Sequence, residues 1–334
     1  MRQLAFAITT LFSLFAFSAQ AVEKRSLCVF DIAGTSGDIY NLMQDYRTQA
    51  LGWGVDMTLR VYTDEMIAAA DLRAGQCDAA AITGIRGRAF NQYSGSIDSV
   101  GAIPSYGHLK AVLQALGSGH PSIEQHMVNG NYEVVGVLPM GAAYLFVKDK
   151  SINNVNKLAG KTISVMEYDV AQAKMAQRVG MSPVLSDVTN FAGRFNNGNV
   201  EICFAPIMAY SALELYKGMQ PNGGIVNYVL GQLTGQIIIN HSRFPEGFGT
   251  QSRKYVAGMF DQAMRLIDNY ERSVDQKWWI PIPEADRAQY DEMMREARIA
   301  LTEEGIYDKS MMNLLRRVRC SQDPSRAECV NPTE

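Results

Sequence analysis

The sequence predicts an α/β protein of two lobes built from one interrupted chain, with helices at the C-terminus. Three observations carry that prediction. The first third alternates apolar β-type runs with segments of helical period. The alternation restarts beyond Gly160, after one long apolar stretch, Tyr132–Asp149. The C-terminal region carries apolar stripes at helical spacing.

In chain order, Leu27–Gly34 reads as a buried strand. SGDIYNLMQDYRTQAL follows, with Ile39, Leu42, Met43, Tyr46 and Ala50 on one helical face. Val55–Tyr62 is the second strand. The next helix has Thr63 or Asp64 as N-cap and Gly75 as its stop. Cys77–Thr83 is the third strand, and this alternation implies a parallel sheet with crossover helices. Tyr132–Asp149 reads as a long connection into a second sheet. That sheet takes strands at Gly160–Met166, SPVLS and Val200–Tyr210, with a helix at Asp169–Gly180. Gly231–Phe244 is an apolar strand suited to return to the first lobe. The stripes Val256/Phe260/Ala263/Ile267 and Tyr290/Met294/Ala297/Leu301 are core faces of helices, and Leu315 and Val318 continue them. The expected division is 22–135 plus about 225–255 for lobe I, 136–224 plus about 256–319 for lobe II and the spanning helices, and 320–334 for a tail.

Residues 1–21 have the form of a secretory signal peptide: Arg2, an apolar run from Leu4 to Phe17, then Ala19-Gln20-Ala21. The run is shorter than the roughly 18 residues of a membrane span, and no second long apolar stretch follows. The expectation is an exported, periplasmic protein with no span after cleavage. The formal charge is −3 for the full chain, and −4 once Arg2 is removed. No basic stripe is present, which argues against nucleic acid as a partner. The five cysteines all lie beyond the signal segment. Cys320 with Cys329, and Cys28 with Cys77, are the expected disulfides, leaving Cys203. Sequence alone does not fix connectivity, and five buried thiols is the competing reading.

Catalytic patterns are missing. None of the four histidines has metal-ligand spacing, and there is no nucleophile elbow or phosphate loop. No cofactor, metal or enzymatic activity is expected. What stands out is the rim beyond the carboxyl ends of the first strands, where open α/β sheets bind ligands. AGTSGDIY supplies Thr35, Ser36, Asp38 and Tyr40 at a helix N-terminus. TGIRGR supplies Thr83, Arg86 and Arg88, two guanidiniums suited to a carboxylate or phosphate. Phe204 and Tyr210 are the aromatic candidates further on, and Trp278-Trp279 is expected to anchor the tail helices.

The segments INNVNKLAGKTISV and GMSPVLSDVTNFAGRFNNGNVEICFAP give this pattern a family context. Through Leu158, Gly160, Val165, Gly180, Pro183, Gly198 and Pro206, and through Gly75, Asp78 and Ala79 earlier, the chain resembles the solute-binding proteins of tripartite ATP-independent periplasmic (TRAP) transporters. It is most similar to a divergent branch often labelled as components of resistance-nodulation-division efflux systems. The resemblance implies a type II-like periplasmic binding fold, hinge-linked, with inner-membrane permease subunits as partners and no chemistry. It also marks a departure. The family's carboxylate-binding arginine falls at Ser164, a second near Ala143, and an asparagine near Ala205. Ser164, Glu167 and Arg194 therefore join the candidate ligand residues, Arg194 as a replacement cation. The function expected is capture of a small polar solute, anionic or zwitterionic, for delivery to a membrane transporter. A periplasmic accessory protein of an efflux system, with a degenerate cleft, is the alternative.

Overall fold

The computed structural model describes residues 22–333. The signal-peptide reading of residues 1–21 lies outside them. The strands are β1 (Glu23–Phe30), β2 (Val55–Tyr62), β3 (Ala79–Thr83), β4 (Val128–Asn129), β5 (Tyr132–Val147), β6 (Thr162–Met166), β7 (Ser182–Ser186), β8 (Ile202–Pro206), β9 (Gly224–Val226), β10 (Gly231–Asn240) and β11 (Trp279–Ile280). The main path runs β2-β1-β3-β10-β5-β8-β6-β7. β1 pairs with β2 and β3 in parallel, and β6 with β7 and β8 in parallel. The centre is antiparallel: β3 to β10, β10 to β5, β5 to β8.

The expected second sheet is thus continuous with the first. β5 has 16 residues, which at about 3.3 Å each extends roughly 50 Å. Its early residues, Tyr132 to Ala143, pair with β10, and Ala143 to Val147 pair with β8. β10 is the expected returning strand, ending at Asn240 where a 3-10 turn, His241–Arg243, takes over. β1 also begins and ends earlier than expected: Asp31 still donates its N–H to Tyr62 of β2, but its carboxylate turns to serve the following turn.

Apolar side chains from both sheet faces form the core. Leu27, Val29, Tyr46 and Met57 pack on one side of the first half, and Cys28, Leu109, Val112 and Leu113 on the other. Val147, Ile163, Val165 and Tyr290 fill one side of the second half, and Phe146, Phe195 and Cys203 the other. The helix Glu284–Glu303 joins both halves: Tyr290 and Met294 pack with the second, Leu301 with the first. The helix Lys309–Gln322 buries Met311, Met312 and Leu315 against the first half. Trp278 and Trp279 do not anchor those tail helices. Trp279 meets Tyr144 edge to face at 5.1 Å, in the cluster holding Phe146 and Ile225, because β11 is held by β9.

Cys28–Cys77 and Cys320–Cys329 are disulfides with Cα separations of 6.0 and 5.5 Å, and Cys203 is a buried free thiol. Among the described residues no helix is long and apolar enough to cross a membrane.

Candidate functional site

The ends of β1, β3, β6 and β8 face one another across two adjoining cavities. One, of about 110 Å3, lies between Phe30, Ile39 and Thr83 of the first half and Met166, Pro206 and Met208 of the second. The other, of about 90 Å3, runs under Ser164 and Met175 toward Tyr290 and Tyr307. Ile85, Asp98, Gln172 and Phe204 line both. Each volume far exceeds the ~10–15 Å3 that holds one water. The walls are mostly apolar and rich in methionine, a side chain that adapts to irregular shapes.

Arg86 and Arg88 sit at this rim, as the strand order predicted, but neither lines a cavity. Thr83 caps the short helix Gly84–Gly87 by accepting from the Arg86 N–H, which turns both side chains inward. The Arg86 guanidinium stacks 3.4 Å from the Tyr168 ring centroid, with Nε 3.5 Å from Glu65 Oε2. Glu65 is fully buried, accepts from the Thr83 N–H at 2.6 Å, and takes the Tyr168 hydroxyl at 3.0 Å. Arg88 donates from Nη1 to Asp169 Oδ1 at 2.8 Å and from Nε to the Gly95 carbonyl. Burial works against the Arg88 charge, but Asp169, Tyr307 and Asp98 more than offset it, so its pKa rises above the ordinary arginine value. Asp169 also N-caps the helix Val170–Arg178 through the Ala171 N–H. Two residues next to β6, Tyr168 and Asp169, thus lock onto Glu65 and Arg88 of the first half.

The helix N-terminus after β1 already holds an anion, one of the chain's own. Asp31 accepts from the Ala33 and Tyr40 N–H groups at 2.9 and 3.0 Å. Gly37 is required beside it: a Cβ there would fall 1.9 Å from Asp31 Oδ1. Thr35 and Ser36 are exposed. Asp38 accepts from the Tyr270 hydroxyl at 2.6 Å, and the Tyr40 hydroxyl accepts from Gln44.

Of the other candidates, Thr83, Ser164 and Phe204 line the cavities. Ser164 is buried and donates to the Ser186 hydroxyl at 2.6 Å, so the position of the family arginine holds a short neutral contact. Glu167 is exposed beside the rim. Arg194, on the helix Phe191–Asn196, and Tyr210, packed on Tyr216 at 5.8 Å, line neither cavity.

Sequence reasoning missed Asp98. It sits deep in the molecule but keeps some accessible surface because it opens onto both cavities. Thr234 of β10 serves both of its oxygens, hydroxyl to Oδ1 at 2.6 Å and N–H to Oδ2 at 3.1 Å. Burial pushes its pKa up to about 7, against the opposing pull of the Thr234 hydrogen bonds and Arg88. No sequence signal marks it; in the fold Gly84 makes room for it, since a Cβ there would lie 2.3 Å from Thr234 Oγ1 and 2.7 Å from Asp98 Oδ2.

The family model for solute-binding protein AdeT 1/2 matches residues 50–334. The chain belongs to this solute-binding protein family. It is 46% identical over 302 residues to the "Probable solute-binding protein AdeT1" of Acinetobacter baumannii, covering 90% of this chain and 99% of that one. Its fold is that of TRAP periplasmic solute-binding proteins. One from Haemophilus influenzae, with bound L-gulonate, superposes with a TM-score of 0.71 at 11% identity, over 89% of this chain and 99% of that one. One from Anaerococcus prevotii, with bound D-glucuronate, gives 0.70 at 14%, over 90% and 100%. The chain is therefore a solute-binding protein with an α/β fold of that architecture, as its central segments implied.

Proposed function

We propose that this solute-binding protein works in the periplasm, captures one small solute in the paired cavities, and hands it to an inner-membrane permease without transforming it. Lobe I is 22–135 with about 225–255, and lobe II is 136–224 with about 256–319. The observation that carries this reading is the position of the cavities. They lie where the strand ends of both halves meet, the place where α/β sheets take ligands, and they are closed over by Arg88–Asp169 and Glu65–Tyr168. Hinge closure on solute is the motion this arrangement supports. Thr83, Ser164 and Phe204 are proposed as solute contacts. Arg86, Arg88, Asp38 and Tyr40 shape and close the rim. The bound sugar acids of the solved neighbours fit the same kind of capture.

The experiment is native mass spectrometry of protein purified without unfolding, paired with the Phe204→Trp variant. Phe204 lines both cavities, so the larger indole is expected to narrow them and weaken or expel a co-purified molecule. A bound small molecule that survives the substitution unchanged places the solute elsewhere. No bound molecule, and no thermal shift with any small-molecule panel, favours the accessory-protein reading.

A further inference from the structure

Among the described residues, the two cavities are lined by three carboxyl-bearing side chains, Asp31, Asp98 and Asp169, and by no lysine, arginine or histidine. Two of the three are already served. Asp31 takes two backbone N–H groups, and Asp169 takes Arg88 and the Ala171 N–H. Asp98 is different: it accepts from the Thr234 N–H and hydroxyl, both neutral groups, and it stands where the two cavities adjoin. A carboxylate entering this space meets like charge in a low-dielectric wall. Arg88 keeps one buried, unpartnered nitrogen, Nη2, but it lines neither cavity, and a carboxylate approaching it meets the Asp98 and Asp169 walls first. A protonated amine meets the opposite situation, gaining a charge-assisted hydrogen bond to Asp98 while its carbon body covers apolar surface.

We infer that the solute carries a protonated amine on a compact apolar body, with the amine seated against Asp98 at the junction of the two cavities. The inference rests on the cleft being the solute site, and narrows the anionic-or-zwitterionic expectation to solutes with a cationic end. Facing Asp98 are Thr234 of β10, Arg88 beyond the Gly84–Gly87 helix and Asp169 at the cap of the Val170–Arg178 helix; Tyr307 also lies against Arg88. Arg88 is hydrogen-bonded to Asp169 and only tempers the Asp98 charge from a distance, so the Asp98 carboxylate at the cavity junction is the group placed to answer the solute.

The test is isothermal titration calorimetry of the purified protein with benzylamine, benzyl alcohol and benzoate, three probes of similar size and different charge. Benzylamine is expected to bind at least tenfold tighter than benzoate at pH 8. Its affinity is expected to fall by up to about tenfold per pH unit once Asp98 protonates. In Asp98→Asn the amine is expected to drop to the level of the alcohol. Circular dichroism checks that this variant is folded, and the pH series in the unmodified protein gives the same answer if it is not. Benzoate binding as tightly as benzylamine overturns the inference and leaves solute capture standing. Amine binding that ignores both Asp98→Asn and pH overturns it too, as does no amine binding at all. In that last case Phe204→Trp in native mass spectrometry decides separately whether the cavities hold any solute.

Discussion

Asp98 bears a stability cost that its position explains. A carboxyl whose pKa rises from 3.8 to about 7 binds its proton more tightly in the folded chain than in the unfolded one. Its charge therefore costs stability at pH above 7, and the cost fades as pH falls toward the ordinary carboxyl value. Asp98→Asn is expected to stabilise the protein at pH 8 by on the order of 2 kcal/mol, with no gain left by pH 4. The amide can keep both contacts because the Thr234 hydroxyl can turn from donor to acceptor. Urea denaturation at the two pH values checks this; equal gains at both would contradict the charge argument. Single residues were unevenly legible in the sequence. Thr83 and Phe204 line the cavities as a strand-end reading expects, because a strand end points into a cleft whatever its neighbours are. The inward turn of Arg86 and Arg88 was not, since their partners Glu65 and Asp169 come from distant elements and only the closed fold brings them together. Asp98 had no local pattern at all.

Elements read well where period and caps agree. The helix Asp38–Leu51 and the strand Val55–Tyr62 came directly from spacing, and of the two caps offered, Thr63 or Asp64, the structure uses Asp64. The join between two expected sheets did not, because an apolar run of 16 residues looks the same whether it links two sheets or belongs to both. The turn after β1 depends on one further element-level condition. Gly37 leaves room for the Asp31 carboxylate to serve two backbone N–H groups. Gly37→Ala is expected to push that carboxylate out and destabilise the protein by about 2–4 kcal/mol, measured by urea denaturation. A loss below about 0.5 kcal/mol would mean that the turn repacks freely.

At the scale of the molecule, two latches hold the halves together over the cavities. Arg88–Asp169 has side chains only 12% and 4% exposed, and removing one partner of such a buried pair costs about 3–5 kcal/mol. Arg88→Ala is therefore expected to move the population from closed to open by more than a hundredfold. Small-angle X-ray scattering would record this as a larger radius of gyration; an unchanged radius would mean that the latch does not govern closure. β5 sets the limit of that opening. It pairs with β10 from Tyr132 to Ala143 and with β8 from Ala143 to Val147, so a hinge can bend the strand but neither half can lose its centre without the other. Heating is thus expected to give a single calorimetric endotherm, with the amides of Val137, Leu138 and Ala143 to Phe146 exchanging with solvent only when the whole chain unfolds. A protein proposed to move as two bodies is expected to melt as one.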